Sequence, residues 1–250
     1  MDYSNFKIDM PNDVEFIINT IKSHGHQAYA VGGCVRDSIM GLTPNDWDIT
    51  TSALPSDIKE YFNKTIDTGI EHGTVTVMLH NVGYEVTTYR IDGEYKDGRH
   101  PSSVEFSDRL TDDLCRRDFT INAMAYNNIT GLVDEYGGID DINNRIIKCV
   151  GNPIERFTED ALRMMRAIRF SAQLGFTIEP DTFKAIEKLN RNIDKVSMER
   201  VCVELKKTLL SDNPDYCSLY ATTGLFNNIL PVIADNLTGR YAKKLLLTCK

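Results

Sequence analysis

The spacing of apolar positions changes character near residue 150. Before it, short runs rich in Val, Thr, Tyr and Ala alternate with Gly- and Asp-rich turns. Ala28 to Gly32 (AYAVG), Trp47 to Thr50, Gly73 to Leu79 (GTVTVML) and Tyr84 to Tyr89 (YEVTTY) read as strands. Asn12 to His24 predicts a helix after Pro11, and Pro55 to Phe62 another with Ser52 as its cap. From about residue 153 the period is helical. Thr158 to Leu174 predicts one helix, capped by Thr158 and ended by Gly175. Further helices are expected at Pro180–Leu189, Ser197–Leu210 and Asp215–Thr223, and Tyr241 to Lys250 also reads as helical. Asp92 to Asp113 is polar, lacks a period and holds Gly93, Gly98 and Pro101, which predicts a loop of functional length. These elements predict an α+β domain over 1–149 and an all-α domain over 150–250, with no repeats.

Composition narrows the class. Hydrophobic residues are 42% and charged residues 26% of 250 positions, which excludes disordered and collagen-like chains. No apolar run reaches the ~18 residues of a membrane span, and the acidic N-terminus has no signal-peptide pattern. Six isolated cysteines without a C-x-x-C pair read as reduced thiols of a cytoplasmic protein. The net charge of −8 is uneven: residues 1–150 hold 13 Lys and Arg against 24 Asp and Glu, whereas 151–210 hold 11 against 9. An acidic chain makes a poor non-specific nucleic-acid binder. The acidic excess of the first part suits metal ligands and plain solubility equally.

Five segments carry candidate chemistry. Gly32-Gly33-Cys34-Val35-Arg36-Asp37 follows a strand and opens a helix, so its backbone N–H groups can approach a phosphate and Arg36 can grip one. The plainer reading is a tight strand-to-helix turn. Asp46-Trp47-Asp48 puts two carboxylates on one side of a strand start, which suggests Mg²⁺ between them or only a polar strand end. Glu85 lies on a candidate neighbouring strand and is either a third metal carboxylate or a solvent-facing strand residue. Arg116-Arg117-Asp118 with Asn122 can hold a triphosphate and a ribose, or merely start a helix. In EDALRMMRAIRF, Ala161, Met164, Met165, Ile168 and Ala172 share an apolar helix face. Asp160, Arg163, Arg166 and Arg169 step by three residues across the other side. Asp160 can accept from a base amine and Arg163 can donate to a ring nitrogen. The arginines lack interleaved acids, which predicts a positive strip that attracts an anion. The alternative is a solvated face with i,i+3 ion pairs.

Taken in order, GGCVRD, DWD, YEVTTYR, RRDFTINAMAY and EDALRMMRAIRF resemble the class II branch of the tRNA nucleotidyltransferase and poly(A) polymerase superfamily. GLVDEYGGIDDINNRII (131–147) resembles its connector from catalytic head to neck, and SMERVCVEL (197–205) its last neck motif. The resemblance implies a nucleotidyltransferase head with a small mixed β-sheet and flanking helices, followed by an all-α neck. It implies template-independent addition of C, C and A to the 3′ end of tRNA from CTP and ATP, with release of pyrophosphate through two metal ions.

In that scheme Asp46, Asp48 and Glu85 bind Mg²⁺. Gly32, Gly33, Arg36 and Arg117 meet the triphosphate, and Asp118 with Asn122 meets the ribose. Asp160 and Arg163 read the base, supported by Arg166 and Arg169. The intact EYKDGRHPSSVEF loop favours full CCA or A addition over CC addition. Related poly(A) polymerases read E-D-P-V-R where this chain has Ala161, and polyadenylation or A-only addition is the alternative. A non-catalytic nucleotide- or RNA-binding module is the alternative of another class. The five histidines lack the spacing of a metal phosphohydrolase. No protein partner and no membrane contact are implied. The family continues into body and tail domains, whereas this sequence reaches Lys250 about where the neck gives way to the body.

Overall fold

A computed structural model describes residues 7–93 and 103–229. Two compact units divide them, one of residues 7–93 with 103–142 and one of residues 143–229. Among the described residues no helix is long and apolar enough to cross a membrane.

The first unit is built on a seven-stranded sheet. Its strands are β1 (Ala28–Val31), β2 (Asp48–Thr51), β3 (Thr65–Gly69), β4 (Thr74–Leu79), β5 (Val82–Thr88), β8 (Met124–Asn127) and β9 (Gly131–Asp134), in the order β3-β4-β5-β2-β1-β8-β9. All pairings are antiparallel except β2 with β5, where Ile49, Thr50 and Thr51 lie beside Val86, Thr87 and Thr88. The sheet is therefore mixed, as expected. β3, β8 and β9 were not anticipated; β3 is largely exposed, and β8 is buried at every position, so neither alternates.

Side chains alternate across the sheet. One face carries Ala30, Ile49, Val75 and Val86, all buried. Tyr84 shares that face and donates to Asp13 of α1 (Asn12–Ser23), whose Val14, Ile17, Ile18 and Ile21 are buried. Each such burial contributes roughly 1.5–3 kcal/mol. α3 (Pro55–Tyr61) packs beside β4 and β5. Its cap differs from expectation: Asp57 accepts from Leu54 N, while Ser52 Oγ accepts from Gln27 N across the sheet. The opposite face carries Tyr29, Val31 and Ala125, which cluster with Tyr89 and with Leu110 and Leu114 of α4 (Leu110–Cys115).

The expected loop over 92–113 is partly regular. β6 (Arg90–Asp92) and β7 (Val104–Phe106) form an antiparallel ribbon, and α4 follows; residues 94–102 lie outside the described residues. The first unit also holds α2 (Gly33–Ile39) and α5 (Gly138–Asn143). Asp134 accepts from Gly138 N and Ile139 N at the start of α5, and Asp141 accepts from Thr120 Oγ1 at 2.6 Å.

The second unit is helical apart from the two-residue parallel pair β10 (Ile146–Ile147) and β11 (Thr177–Ile178). Its helices are α6 (Pro153–Glu159), α7 (Leu162–Leu174), α8 (Pro180–Leu189), α9 (Met198–Leu209), α10 (Ser218–Thr222) and α11 (Leu225–Ile229). The single helix expected over 158–174 is two. Thr158 sits inside α6, and the break falls at Asp160, whose backbone is extended (φ −135°, ψ 105°). Asp160 Oδ1 accepts from Leu162 N at 3.0 Å, so the carboxylate takes a turn-stabilising role that competes with helix continuation. Gly175 does end α7, in the left-handed conformation. The predicted apolar face is buried: Ala161, Met164, Met165, Ile168 and Ala172 are at most 1% exposed. The helix expected at 215–223 is a 3₁₀ turn (Pro214–Cys217) running into α10. The helix read at 241–250 lies outside the described residues.

Candidate active site

The first unit brings together residues from four stretches of sequence. Gly32 leaves β1 with φ 85° and ψ −130°, a conformation that L side chains avoid. Its N–H donates to Met124 O on β8. A β-carbon there would stand 3.1 Å from Arg117 Nη1, so the guanidinium rests against the bare glycine. Gly33 opens α2, and a β-carbon there would meet Arg36 Nη2 at 3.7 Å.

Arg36 is buried and heavily bonded. Nε and Nη2 reach Asp37 Oδ1 at 2.8 and 2.7 Å, and Nη1 donates to Asn122 Oδ1 at 2.6 Å. Asn122 Nδ2 donates to Asp118 Oδ1, which also accepts from Phe119 N. Asp37, Arg36, Asn122 and Asp118 thus form one chain of hydrogen bonds. Arg36, expected to meet a phosphate, is bonded within the fold here and braces the turn against the Thr120–Asn122 stretch.

Asp48 is the first residue of β2, opposite Val31, and Asp46 lies two positions earlier. The parallel register sets Glu85 beside Asp48 on the same face. All three acids are solvent-exposed, yet the protein mass around Asp48 is dense. That surrounding, then Asp46, then Glu85, raise the Asp48 carboxyl to about 6, against the pull of Arg117. Among the described residues no three His, Cys, Asp or Glu side chains are gathered into a cage that could hold a metal ion. Hard, solvent-exposed oxygen donors nonetheless fit Mg²⁺, which binds through one or two carboxylates and substrate phosphates and retains water. A cation would also relieve the repulsion at Asp48. Cys34, beside Asp48, is pushed up to about 12 by burial and by that carboxylate, so it is an inert thiol.

One residue of the site escaped the sequence reading. Asp113 is fully buried and accepts four hydrogen bonds. Arg116 Nε and Nη2 donate to Oδ1 at 3.0 and 2.5 Å; Arg117 Nη2 and Thr50 Oγ1 donate to Oδ2 at 3.0 and 3.1 Å. Burial works to raise its pKa, but Arg116 and Arg117 outweigh it and hold the carboxyl below the usual range. The available signal was Asp113 spaced three and four residues before two arginines on a helix.

The second unit holds the remaining candidates. Asp160 Oδ2 accepts from Arg200 Nη2 at 3.1 Å. Arg163 Nη1 donates to Glu159 Oε2 at 2.7 Å and to Arg156 O. Arg166 lies over the Phe170 ring. Arg169 is 7% exposed, stacks on Phe170 at 3.9 Å, and donates from Nε to Glu204 Oε2 at 2.5 Å and from Nη1 to Gln173. The uncompensated positive strip is therefore corrected. Glu159 pairs with Arg163, and Glu204, 35 positions further along the chain on α9, pairs with Arg169.

Comparison with known proteins identifies the family. Residues 28–148 match the family model described as "Poly A polymerase head domain" and residues 175–237 that described as "Probable RNA and SrmB- binding site of polymerase A". The chain is 49% identical over 218 residues to a CCA-adding enzyme of Ligilactobacillus salivarius, covering 82% of this chain and 54% of that protein. It is 47% identical over 219 residues to the CCA-adding enzyme of Leuconostoc mesenteroides, covering 88% and 55%. Among solved structures it is similar to the Bacillus stearothermophilus CCA-adding enzyme in complex with CTP (TM-score 0.80, 44% identity, 87% of this chain and 53% of that one). It is also similar to a CCA-adding enzyme complexed with ATP (TM-score 0.73, 26% identity, 88% and 52%). The chain spans about half the length of the curated relatives it matches. With a head sheet carrying paired acids, a glycine turn with Arg117 resting against it, and relatives of near-50% identity, the chain belongs to the tRNA nucleotidyltransferase and poly(A) polymerase family.

Proposed function

We propose that this chain carries the nucleotidyl-transfer site of a CCA-adding enzyme, which extends the 3′ end of tRNA with C, C and A from CTP and ATP and releases pyrophosphate. The observation that carries it is the meeting of the bare Gly32 turn, Arg117 and the repelling acids Asp48, Asp46 and Glu85 on the central strands β1, β2 and β5. An anion-receptive group thus stands beside acids that need a cation, which is what a metal-bound nucleoside triphosphate brings.

Asp46 and Asp48 are the proposed Mg²⁺ ligands, with Glu85 as the third carboxylate. Bound ions would supply positive charge for the attacking and leaving oxygens of phosphoryl transfer. Gly32 and Gly33 leave room for phosphates to approach backbone, and Arg117 presents a guanidinium to them. Asp118 and Asn122, held in their hydrogen-bond chain with Arg36, are aimed at the ribose. Asp160 and Arg163 read the base: the carboxylate accepts from the exocyclic amine of C or A, and the guanidinium donates to the ring nitrogen. U and G present a carbonyl oxygen to that carboxylate and are repelled. Arg169 supports this pair from within the helical unit through Glu204. A protein of this activity works in the cytoplasm, with tRNA as its macromolecular substrate.

The test is nucleotide addition on tRNAs ending before CCA, at C and at CC, with Mg²⁺ and labelled CTP or ATP. CTP incorporation followed by a single A, abolished in Asp46→Ala, is the expected result. A alone on the CC-ended tRNA would make it an A-adding enzyme, and runs of A a poly(A) polymerase. Full activity of Asp46→Ala would overturn the metal-ligand assignment. Nucleotide binding without transfer, persisting after helical body and tail domains are supplied, would make the chain a binding module.

A further inference from the structure

The Arg117 guanidinium is bonded to the Asp113 carboxylate. The Asp113 carboxylate is wholly buried, and all four of its donors come from two guanidiniums and one strand hydroxyl. The hydroxyl is Thr50, two residues along β2 from Asp48, so the same carboxylate ties α4 to the strand bearing the acids. Arg117 Nη2 is bonded to Asp113, while Nη1 faces Gly32. Nε of Arg117 is buried and has no hydrogen-bond partner among the described residues. The fork is therefore held at one corner, with donor capacity left at the others.

We propose that Asp113 is a positioning residue for the triphosphate: it clamps Arg117 between the Gly32 turn and Asp48 and so sets the guanidinium's phosphate-facing edge. This rests on the reading of Arg117 as a triphosphate contact. Asp113 itself touches neither substrate nor metal in this scheme. Loss of the clamp leaves Arg117 charged but unaimed, so the triphosphate suffers and the nucleoside does not.

The experiment measures binding of CTP and of CMP, each with Mg²⁺, to the full chain and to Asp113→Asn, Thr50→Val, Arg117→Lys and the Asp113→Asn/Arg117→Lys double variant. The expected result is that Asp113→Asn lowers the preference for CTP over CMP by about tenfold or more, with CMP affinity within about twofold. Thr50→Val, which removes one of four donors, lowers it in the same direction by about threefold. In the Arg117→Lys background Asp113→Asn adds little, because it acts through the fork already lost. A parallel loss of CTP and CMP binding would assign Asp113 a structural role only. Should Asp113→Asn fail to fold, Thr50→Val decides: an unchanged CTP-over-CMP preference overturns the clamp. Wild type without that preference would instead overturn the triphosphate role of Arg117. Arg117→Lys losing the preference while Asp113→Asn and Thr50→Val keep it would overturn Asp113 alone.

Discussion

Glu204 and Arg169 offer a test of whether the arginines of α7 face substrate or the protein interior. Glu204 is 5% exposed and Arg169 7%, and Nε meets Oε2 at 2.5 Å. Glu204→Ala strands a buried guanidinium whose remaining contacts include Gln173 and the Phe170 ring. Removing one partner of a buried ion pair costs about 3–5 kcal/mol. For a chain of this size that lowers the melting temperature by roughly 6–20 °C. Glu204→Gln keeps an acceptor and loses the charge, so it costs roughly half as much. Replacing both partners, as Arg169→Met with Glu204→Leu, returns stability to within about 1–2 kcal/mol of wild type, because no charge is left stranded. Thermal unfolding followed by circular dichroism, at low and high salt, is the assay. The loss should be nearly insensitive to salt, since the pair is shielded from water. A Glu204→Ala variant that melts within about 2 °C of wild type yet binds CTP poorly would refute the interior placement and return Arg169 to the substrate.

Three further outcomes follow from the geometry. Asp48 has a pKa of about 6 in the metal-free fold, above its unfolded value, so the ionised group opposes folding; metal-free stability rises as pH falls from 7 through 6 towards 4, and Asp48→Asn flattens that slope in urea titrations. Gly32→Ala forces a side chain into φ 85° and against Arg117, costing about 1–3 kcal/mol by denaturant midpoint and weakening CTP binding. Arg200→Leu releases Asp160 Oδ2, so incorporation of UMP relative to CMP rises several-fold while the melting temperature falls by only a few degrees, measured by competing the two triphosphates on one acceptor.

What could be read from sequence was local. AYAV, TVTVML and YEVTT follow strand patterns that burial against one layer produces, and the Met164–Met165–Ile168 face follows from the helical period. The Gly32 turn and the Asp46–Asp48 pair were legible because their chemistry lies within a few residues. What was missed depends on distant partners. Nothing around Arg169 announces Glu204, and an i,i+3 reading placed it in solvent. Asp160 looks like an ordinary helix residue until its carboxylate is seen to take Leu162 N and Arg200 together. Asp113 hid among charged neighbours of an amphipathic turn, and only its burial distinguishes it. β8 escaped because it is buried on both faces and reads as a short apolar run rather than an alternation.

The one parallel pairing of the seven-stranded sheet, β2 with β5, has a kinetic corollary. β1 and β2 are joined through α2 alone, but β5 can lie beside β2 only after α3, β3 and β4 have been traversed. Closing that crossover loses chain entropy before any ladder forms, so it belongs late on the folding route. Asp48 and Glu85 are strangers until then. The repulsion between them is a tension of the finished molecule, absent from whatever assembles first. Asp48→Asn should accordingly slow unfolding of the metal-free protein and leave its refolding rate where it was, a signature that stopped-flow chevrons can read.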